Sequence, residues 1–218
     1  MKTVKKVDGR SEKARQTRAR ILDAAGELFV RDGYGATALQ DIADEAGCAV
    51  QTIYYSFGNK QTVLKELVDR TIAGDDEPVA TMDRPWFRQA MEAATAAEHL
   101  RLHVSGTRAV LERVAPIMKV LEAAAAADPG IAALWPNQED PRLIVQTAAA
   151  ASLLGKPGAR TDLTVERAAD ILFGLLSPEL YLLLVTGRHW SPADWETWSR
   201  QTLETQLCKR RDFDATRY

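Results

Sequence analysis

"QTIYYSFGNK", Gln51 to Lys60, sets three aromatic residues within four positions, Tyr54, Tyr55 and Phe57, in an otherwise polar stretch that ends on a single cation. At about 100° per residue, Ile53 and Phe57 fall within about 40° of each other on a helix, and Gln51, Tyr54 and Tyr55 gather within about 100° on another side. The stretch therefore reads as a short helix anchored by Ile53 and Phe57, with Thr52 on the flank and Gln51, Tyr54 and Tyr55 facing outward. Two adjacent exposed tyrosines are costly surface unless something covers them. A neighbouring domain could do so, and so could DNA. A tyrosine hydroxyl donates to phosphate, its ring packs on a sugar or a thymine methyl, and glutamine pairs bidentately with adenine.

The sequence on either side supplies the frame. Apolar residues recur at spacings of three and four, with no sustained alternation of period two, so the whole chain reads as all-α. A first helix is predicted from about Lys13 to Arg31, with Ile21, Ala25, Leu28 and Phe29 as its buried stripe, ended by Gly33 and Gly35. Thr37 and Gln40 have capping-box spacing ahead of a second, short helix with Leu39, Ile42, Ala43 and Ala46 on its apolar face. Gly47 turns the chain into the Gln51 helix. Two short helices around a glycine turn suggest a helix-turn-helix, whose second helix enters the major groove. Asn59 suits the N-cap of a fourth helix carrying Leu64, Leu67 and Val68, with Lys60 at its start, where backbone amides and an ammonium can hold a phosphate. Gly74 and "DDEP" end it.

The remaining two thirds are Ala-rich and helical. Asp83 marks a helix start, and a long helix over "AAEHLRLHVSGTRAVLERV" is expected to restart or kink at Pro116. "DPG" at 128–130 closes the next segment. "GKPGAR", 155–160, is a turn. "LTVERAADILFGLLSPELYLLLVTG" is expected to kink or split at Pro178, and Ser191, Pro192 and Asp194 open a last helix. The boundaries this implies are a basic arm over 1–12, a helix-turn-helix domain over 13–60, a larger helical domain over 61–208, and a frayed tail over 209–218.

Composition narrows the function. The net charge is −2, yet the first twenty residues carry eight Lys or Arg against Asp8 and Glu12. A basic arm on an acidic body points to a local polyanion contact, or to a solvated tail. Cys48 and Cys208 are the only cysteines and make no disulfide framework, and "MKTVKKVDGR" lacks an apolar leader core, so a cytoplasmic protein is expected. The longest apolar run, 171–185, is shorter than the ~20 residues of a membrane span. No G-x-S-x-G, H-E-x-x-H or G-x-x-x-x-G-K-[ST] occurs, so no catalytic residues and no cofactor are predicted. His99 and His103 share a helix face at i, i+4, but no further ligand can be placed beside them, and no metal site is expected.

The run "TRARILDAAGELFVRDGYGATALQDIADEAGCAVQTIYYSFGNKQTVLKELV" resembles the DNA-binding domain of the tetracycline-repressor (TetR) family of bacterial regulators. It does so through Ile21, Ala24, Ala25, Leu28, Phe29, Gly33, Thr37, Ile42, Ala43, Gly47, Thr52, Tyr54, Phe57 and Lys60. The later segments resemble actinobacterial members less distinctively. The resemblance implies an all-helical homodimer on a palindromic double-stranded operator. It also implies phosphate contacts from Thr37, Tyr54, Tyr55 and Lys60, with Gln40, Val50, Gln51 and Thr52 nearest the bases. Two departures stand out. Ala49 replaces a common Ser N-cap, and Val50-Gln51-Thr52 replaces a Lys-Gly-Thr pattern, leaving the reading helix without a cation. The resemblance further implies that the apolar 168–185 segment and the last helix, with Trp195, Trp198, Leu203 and Leu207, pair with a symmetry mate.

The larger domain also offers candidate lining for a small apolar or aromatic effector: Trp86, Phe87, Met91, His99, His103, Met118, Trp135, Phe173 and Tyr181. The implied function is a ligand-responsive repressor released from its operator. An effector-independent architectural DNA-binding protein and a small helical enzyme are the alternatives.

Overall fold

The computed structural model describes residues 9–74, 79–134 and 140–209, with side chains from Glu12 onward except at Ala132. Most of the basic arm, Trp135 and the tail beyond Lys209 lie outside the described residues. Among those described there are eleven α-helices: α1 Gly9–Asp32, α2 Leu39–Glu45, α3 Val50–Phe57, α4 Lys60–Ala73, α5 Pro85–Glu92, α6 Ala96–Ala127, α7 Pro129–Ala132, α8 Pro141–Leu154, α9 Val165–Leu175, α10 Pro178–Val185 and α11 Pro192–Leu207. There is no sheet among them. One isolated antiparallel bridge joins Ala159 to Cys208, just past the end of α11.

The chain divides into two compact units, one from residues up to 71 with 116–136, the other from 72–115 with 137 onward. In the first, α1 to α4 close around a core in which Ile21, Ala25, Phe29, Ile42, Ala43, Ile53, Val63 and Leu64 are fully buried. The last turns of α6 and the short α7 add Ile117, Ala124 and Ile131 to the same core. Polar ties hold these elements to one another. Gln61 donates to Asp128, whose other carboxylate oxygen caps α7 by accepting the Gly130 N–H. Arg70 bridges α4 to Asp23 on α1 at 2.8 Å.

In the second unit α5, the first part of α6 and α8 to α11 pack together. Fully buried residues come from all the long elements, among them Leu100, Val104, Leu153, Leu172, Trp195 and Leu203. Ser177 caps α10 and Pro178 occupies its first position, so the apolar 165–185 segment is two helices, as its proline predicts. The segment has a mean hydropathy of 1.7, but helices of eleven and eight residues are each far below the ~20 needed to cross a bilayer. Ser191 and Asp194 form a reciprocal capping box at the start of α11.

Three expectations are corrected. Pro116 does not restart a helix: α6 runs through it for 32 residues, since a proline there forfeits one hydrogen bond in a long ladder. α5 starts at Pro85 behind Arg84, and Asp83 ends a 3-10 turn instead. Trp195, Leu203 and Leu207 are fully buried within a single chain, so they cannot face a symmetry mate.

Candidate nucleic-acid interface and buried polar cluster

α2 begins one residue later than the T-x-x-Q spacing predicts. Its N-cap is Ala38, whose N–H is accepted by Asp41 Oδ2 at 2.7 Å. Thr37 is buried and donates its hydroxyl inward to the Gly33 carbonyl at 2.9 Å, so that hydroxyl faces the core rather than solvent. Gln40 is exposed and donates to Asp44 one turn on. Gly47 takes φ 62°, the left-handed conformation that the turn into α3 requires, and Cys48 N–H closes back on the Ala43 carbonyl at 2.9 Å.

α3 follows from Ala49, which supplies no side-chain cap. Ile53 and Phe57 are buried, which fixes the opposite face outward: Gln51 is exposed, Tyr54 is 54% exposed and Tyr55 94%. Thr52 and Val50 are half-buried, and Val50 packs on the core beneath. Tyr55 is thus almost as exposed as a tyrosine can be, although it sits on a helix held by two core anchors.

Two cations near this helix are committed to groups of the chain itself. Arg18, from α1, lies over the Phe57 ring at 4.2 Å, donates to the Ser56 carbonyl at 2.7 Å and pairs with Glu66 of α4. A cation at a helix C-terminus also complements its dipole. Lys60 donates to the carbonyls of Tyr34 and Thr37, both at 2.8 Å, and its ammonium lies 4.2 Å from the Tyr34 ring. Partial burial lowers its pKa. Lys60 therefore braces the turn before α2, and one of its three N–H groups is left for another acceptor. Arg15 pairs with Glu12 and Arg31 with Asp32. Lys13 and Arg20 are exposed, with no partner among the described residues.

The second unit holds a different constellation. His99 and His103, one turn apart on α6, are both fully buried, with ring centroids 5.9 Å apart. His103 Nε2 lies 2.9 Å from Gln146 Oε1 on α8. Both His99 nitrogens and His103 Nδ1 lack a hydrogen-bond partner. The Ala90 backbone favours a charged His99 slightly, without hydrogen-bond geometry. Burial, then the neighbouring His103 and Lys156, pushes the His99 pKa down to about 3, and burial lowers that of His103, so both rings are neutral.

Trp86 and Phe87 of α5 flank the pair, each 6.0 Å from the His103 ring. The Trp86 indole lies where a β-carbon on Gly106 would sit 2.1 Å from it, so only glycine admits the ring there. Lys156 donates to the Met91 and Ala93 carbonyls, fastening the end of α5.

Of the predicted lining residues, the structure brings Trp86, Phe87, His99 and His103 together, with the Met91 backbone beside them. Tyr181 instead packs edge-on against Trp195 at 5.1 Å, and Phe173 stacks under Arg142 at 3.6 Å. Met118 packs on the core of the first unit. Gln146, Gly106 and Lys156 were not singled out from the sequence. A lone amide within the apolar run of α8 was the available signal for Gln146. No group of three His, Cys, Asp or Glu side chains suited to a metal occurs among the described residues.

Comparison with known proteins fits this geometry. Residues 21–67 match the profile of bacterial regulatory proteins of the tetR family. Over 56 residues the chain is 43% identical to the uncharacterized HTH-type transcriptional regulator YvkB of Bacillus subtilis, a match covering 26% of this chain and 30% of that protein. Two solved structures share the fold over nearly the whole chain. One is a transcriptional regulator from Saccharomonospora viridis in complex with choline, with a TM-score of 0.67 and 24% identity over 88% of this chain and 98% of that one. The other is a SmeT–triclosan complex, with a TM-score of 0.66 and 19% identity over 89% and 92%.

Proposed function

We propose, from the match of residues 21–67 to the tetR-family profile, that the chain is a TetR-like, cytoplasmic, ligand-responsive transcriptional regulator, a repressor released from its operator by a small apolar or aromatic molecule. The relatives it matches are regulators, not enzymes. One observation carries the reading. α3 is rooted in the core by Ile53 and Phe57 while Tyr54 and Tyr55 stand in solvent. A tyrosine 94% exposed on a rigid helix contributes nothing to the fold that holds it, and a phosphate backbone is a surface that would cover it.

In this reading Gln51 meets a base edge, with Gln40, Val50 and Thr52 nearby. Tyr54, Tyr55 and the remaining N–H of Lys60 meet phosphates. Thr37 acts through its backbone and its brace on Gly33. Lys13, Arg20 and the basic arm over 1–12 supply the attraction that α3, which has no cation, does not. The chain works as a homodimer, because two reading helices about 34–36 Å apart turn two weak half-sites into one palindromic site. The α9–α10 segment suits that contact: it is only 33% buried, and Leu183 is 59% exposed. The choline and triclosan complexes of structurally similar chains support an effector role for the second unit.

The test is selection of bound fragments from sheared genomic DNA, followed by gel shifts on the enriched site. A palindromic site is expected. Gln51→Ala should relax preference at one position per half-site, by about 1–3 kcal/mol of discrimination. Equal weakening on every sequence would remove Gln51 from the reading role, and the absence of any enriched site would overturn the proposal in favour of an architectural DNA-binding protein.

A further inference from the structure

The second unit buries polar atoms that its own fold does not satisfy. Both nitrogens of His99 and Nδ1 of His103 are unpartnered on side chains with no solvent exposure. Buried polar groups without partners are rare in native proteins, and each points to strain, to an ion or to a bound group. No acid stands among the buried polar side chains described: they are Thr37, His99, His103, Thr107, Gln146, Ser177 and Ser199. A cationic ligand would meet no counter-charge at the pair. The ammonium felt at His99, that of Lys156, gives two of its N–H groups to the Met91 and Ala93 carbonyls and keeps one, so an anion is the competing class and benzoate its probe.

The shape of the site is also informative. Gly106 leaves a seat on α6 beside His103, and the partly buried Trp86 indole fills it. The seat accepts an aromatic ring, and beside it His103, 6.0 Å from the indole, brings an unpartnered Nδ1, with the His99 ring 5.9 Å further along; each neutral ring can donate or accept according to tautomer.

We infer that a neutral aromatic ligand bearing a hydroxyl or amide displaces the Trp86 indole from Gly106 and places its polar group on the unpartnered nitrogens of His99 and His103. Phe87 then packs against its ring, and Gln146 holds the His103 tautomer from behind. The inference rests on reading the second unit as the sensing domain and names the chemistry of what it senses. It also accounts for a pair of histidines that costs the free protein stability, since an unsatisfied buried polar group is retained where function requires it.

The probe is phenol, titrated calorimetrically into the full-length protein without DNA, with toluene and benzoate as controls. Phenol should bind at least about tenfold more tightly than either, the difference expected of one satisfied buried polar group. His99→Leu should erase the phenol–toluene difference and raise the melting temperature of the free protein. Trp86→Ala should tighten phenol binding, because the competing indole is gone, and it keeps the test open if His99→Leu does not fold. Equal binding of phenol and toluene, preference for benzoate, no binding of phenol to wild type, or loss of phenol binding in Trp86→Ala would each overturn the inference. Operator release is read separately by gel shift: phenol that binds as described but leaves operator affinity unchanged preserves the site and refutes the sensing reading.

Discussion

The two compact units treat buried polarity in opposite ways. In the first, the buried Thr37 hydroxyl donates to the Gly33 carbonyl, Lys60 donates to the carbonyls of Tyr34 and Thr37, and Arg18 closes on Ser56, Phe57 and Glu66. In the second, five buried side-chain atoms have no partner: three on His99 and His103, with Trp195 Nε1 and Ser199 Oγ. All the unpartnered buried side-chain atoms found among the described residues belong to the second unit. On the proposed function the first unit must hold α3 in one orientation, which hydrogen bonding does, and the second must gain free energy when a ligand arrives, which unsatisfied groups leave available.

Five substitutions test this contrast, in descending order of effect. Phe57→Ala removes a core anchor of α3 and the ring beneath Arg18. It should cost about 3–5 kcal/mol in chemical denaturation and abolish operator binding. If stability stays near wild type, α3 is not anchored as described. Next comes a pair of apolar replacements with opposite expected signs. Thr37→Val should destabilise by about 1 kcal/mol, because it strips the Gly33 carbonyl of its donor, whereas His99→Leu should stabilise. The same sign for both would break the comparison.

Glu66→Gln addresses the Arg18 network. Removing an acid from a DNA-binding unit should strengthen operator binding on electrostatic grounds alone. If Arg18 positions α3 through Glu66, binding should weaken instead. The effect should be under about tenfold, because both side chains are partly exposed and screened. Tighter binding would show that the network does not orient the helix. The smallest effect belongs to Ala49→Ser, which supplies the missing N-cap of α3 and should add about 1 kcal/mol or less in thermal unfolding. No change there would mean that tertiary packing already fixes the first turn.

The buried histidines also set a pH dependence. His99 has a pKa of about 3 in the folded chain against an ordinary value of 6.5, and that of His103 is lowered too. The unfolded chain therefore binds more protons between those values. Stability is complete above about pH 6.5 and falls as pH drops toward 3. His99→Leu should flatten this acid limb in pH-dependent melting, and an unaltered limb would place the titrating group elsewhere.

The sequence made the reading head legible where the information was periodic or local. Ile53 and Phe57 inward, Tyr54 and Tyr55 outward, Gly47 at the turn and the split at Pro178 all follow from spacing and backbone preference. It failed where a partner came from a distance. Lys60 at the start of a helix reads as a phosphate-facing cation, but only the folded chain brings the carbonyls of Tyr34 and Thr37 to its ammonium and leaves it one N–H for that role. The T-x-x-Q spacing at Thr37 was a plausible cap, but the hydroxyl is drawn inward and Asp41 takes over at the next register. Trp195 and Leu203 carried the apolar signature of an interface, yet they belong to the core of their own chain. The His99–His103 pair was visible as an i, i+4 repeat. Its partner Gln146 and the glycine seat for Trp86 were not, because both depend on how α5 and α8 pack on α6.

The most direct measurement is gel-shift titration of wild type and Tyr55→Ala on the selected operator, with melting temperatures taken on the same samples. Tyr55 touches almost nothing within the chain, so the variant should melt with wild type while its operator affinity falls by about tenfold, the loss expected for a phosphate contact with its packing. Unchanged affinity in Tyr55→Ala would contradict the assignment of α3 as the reading helix.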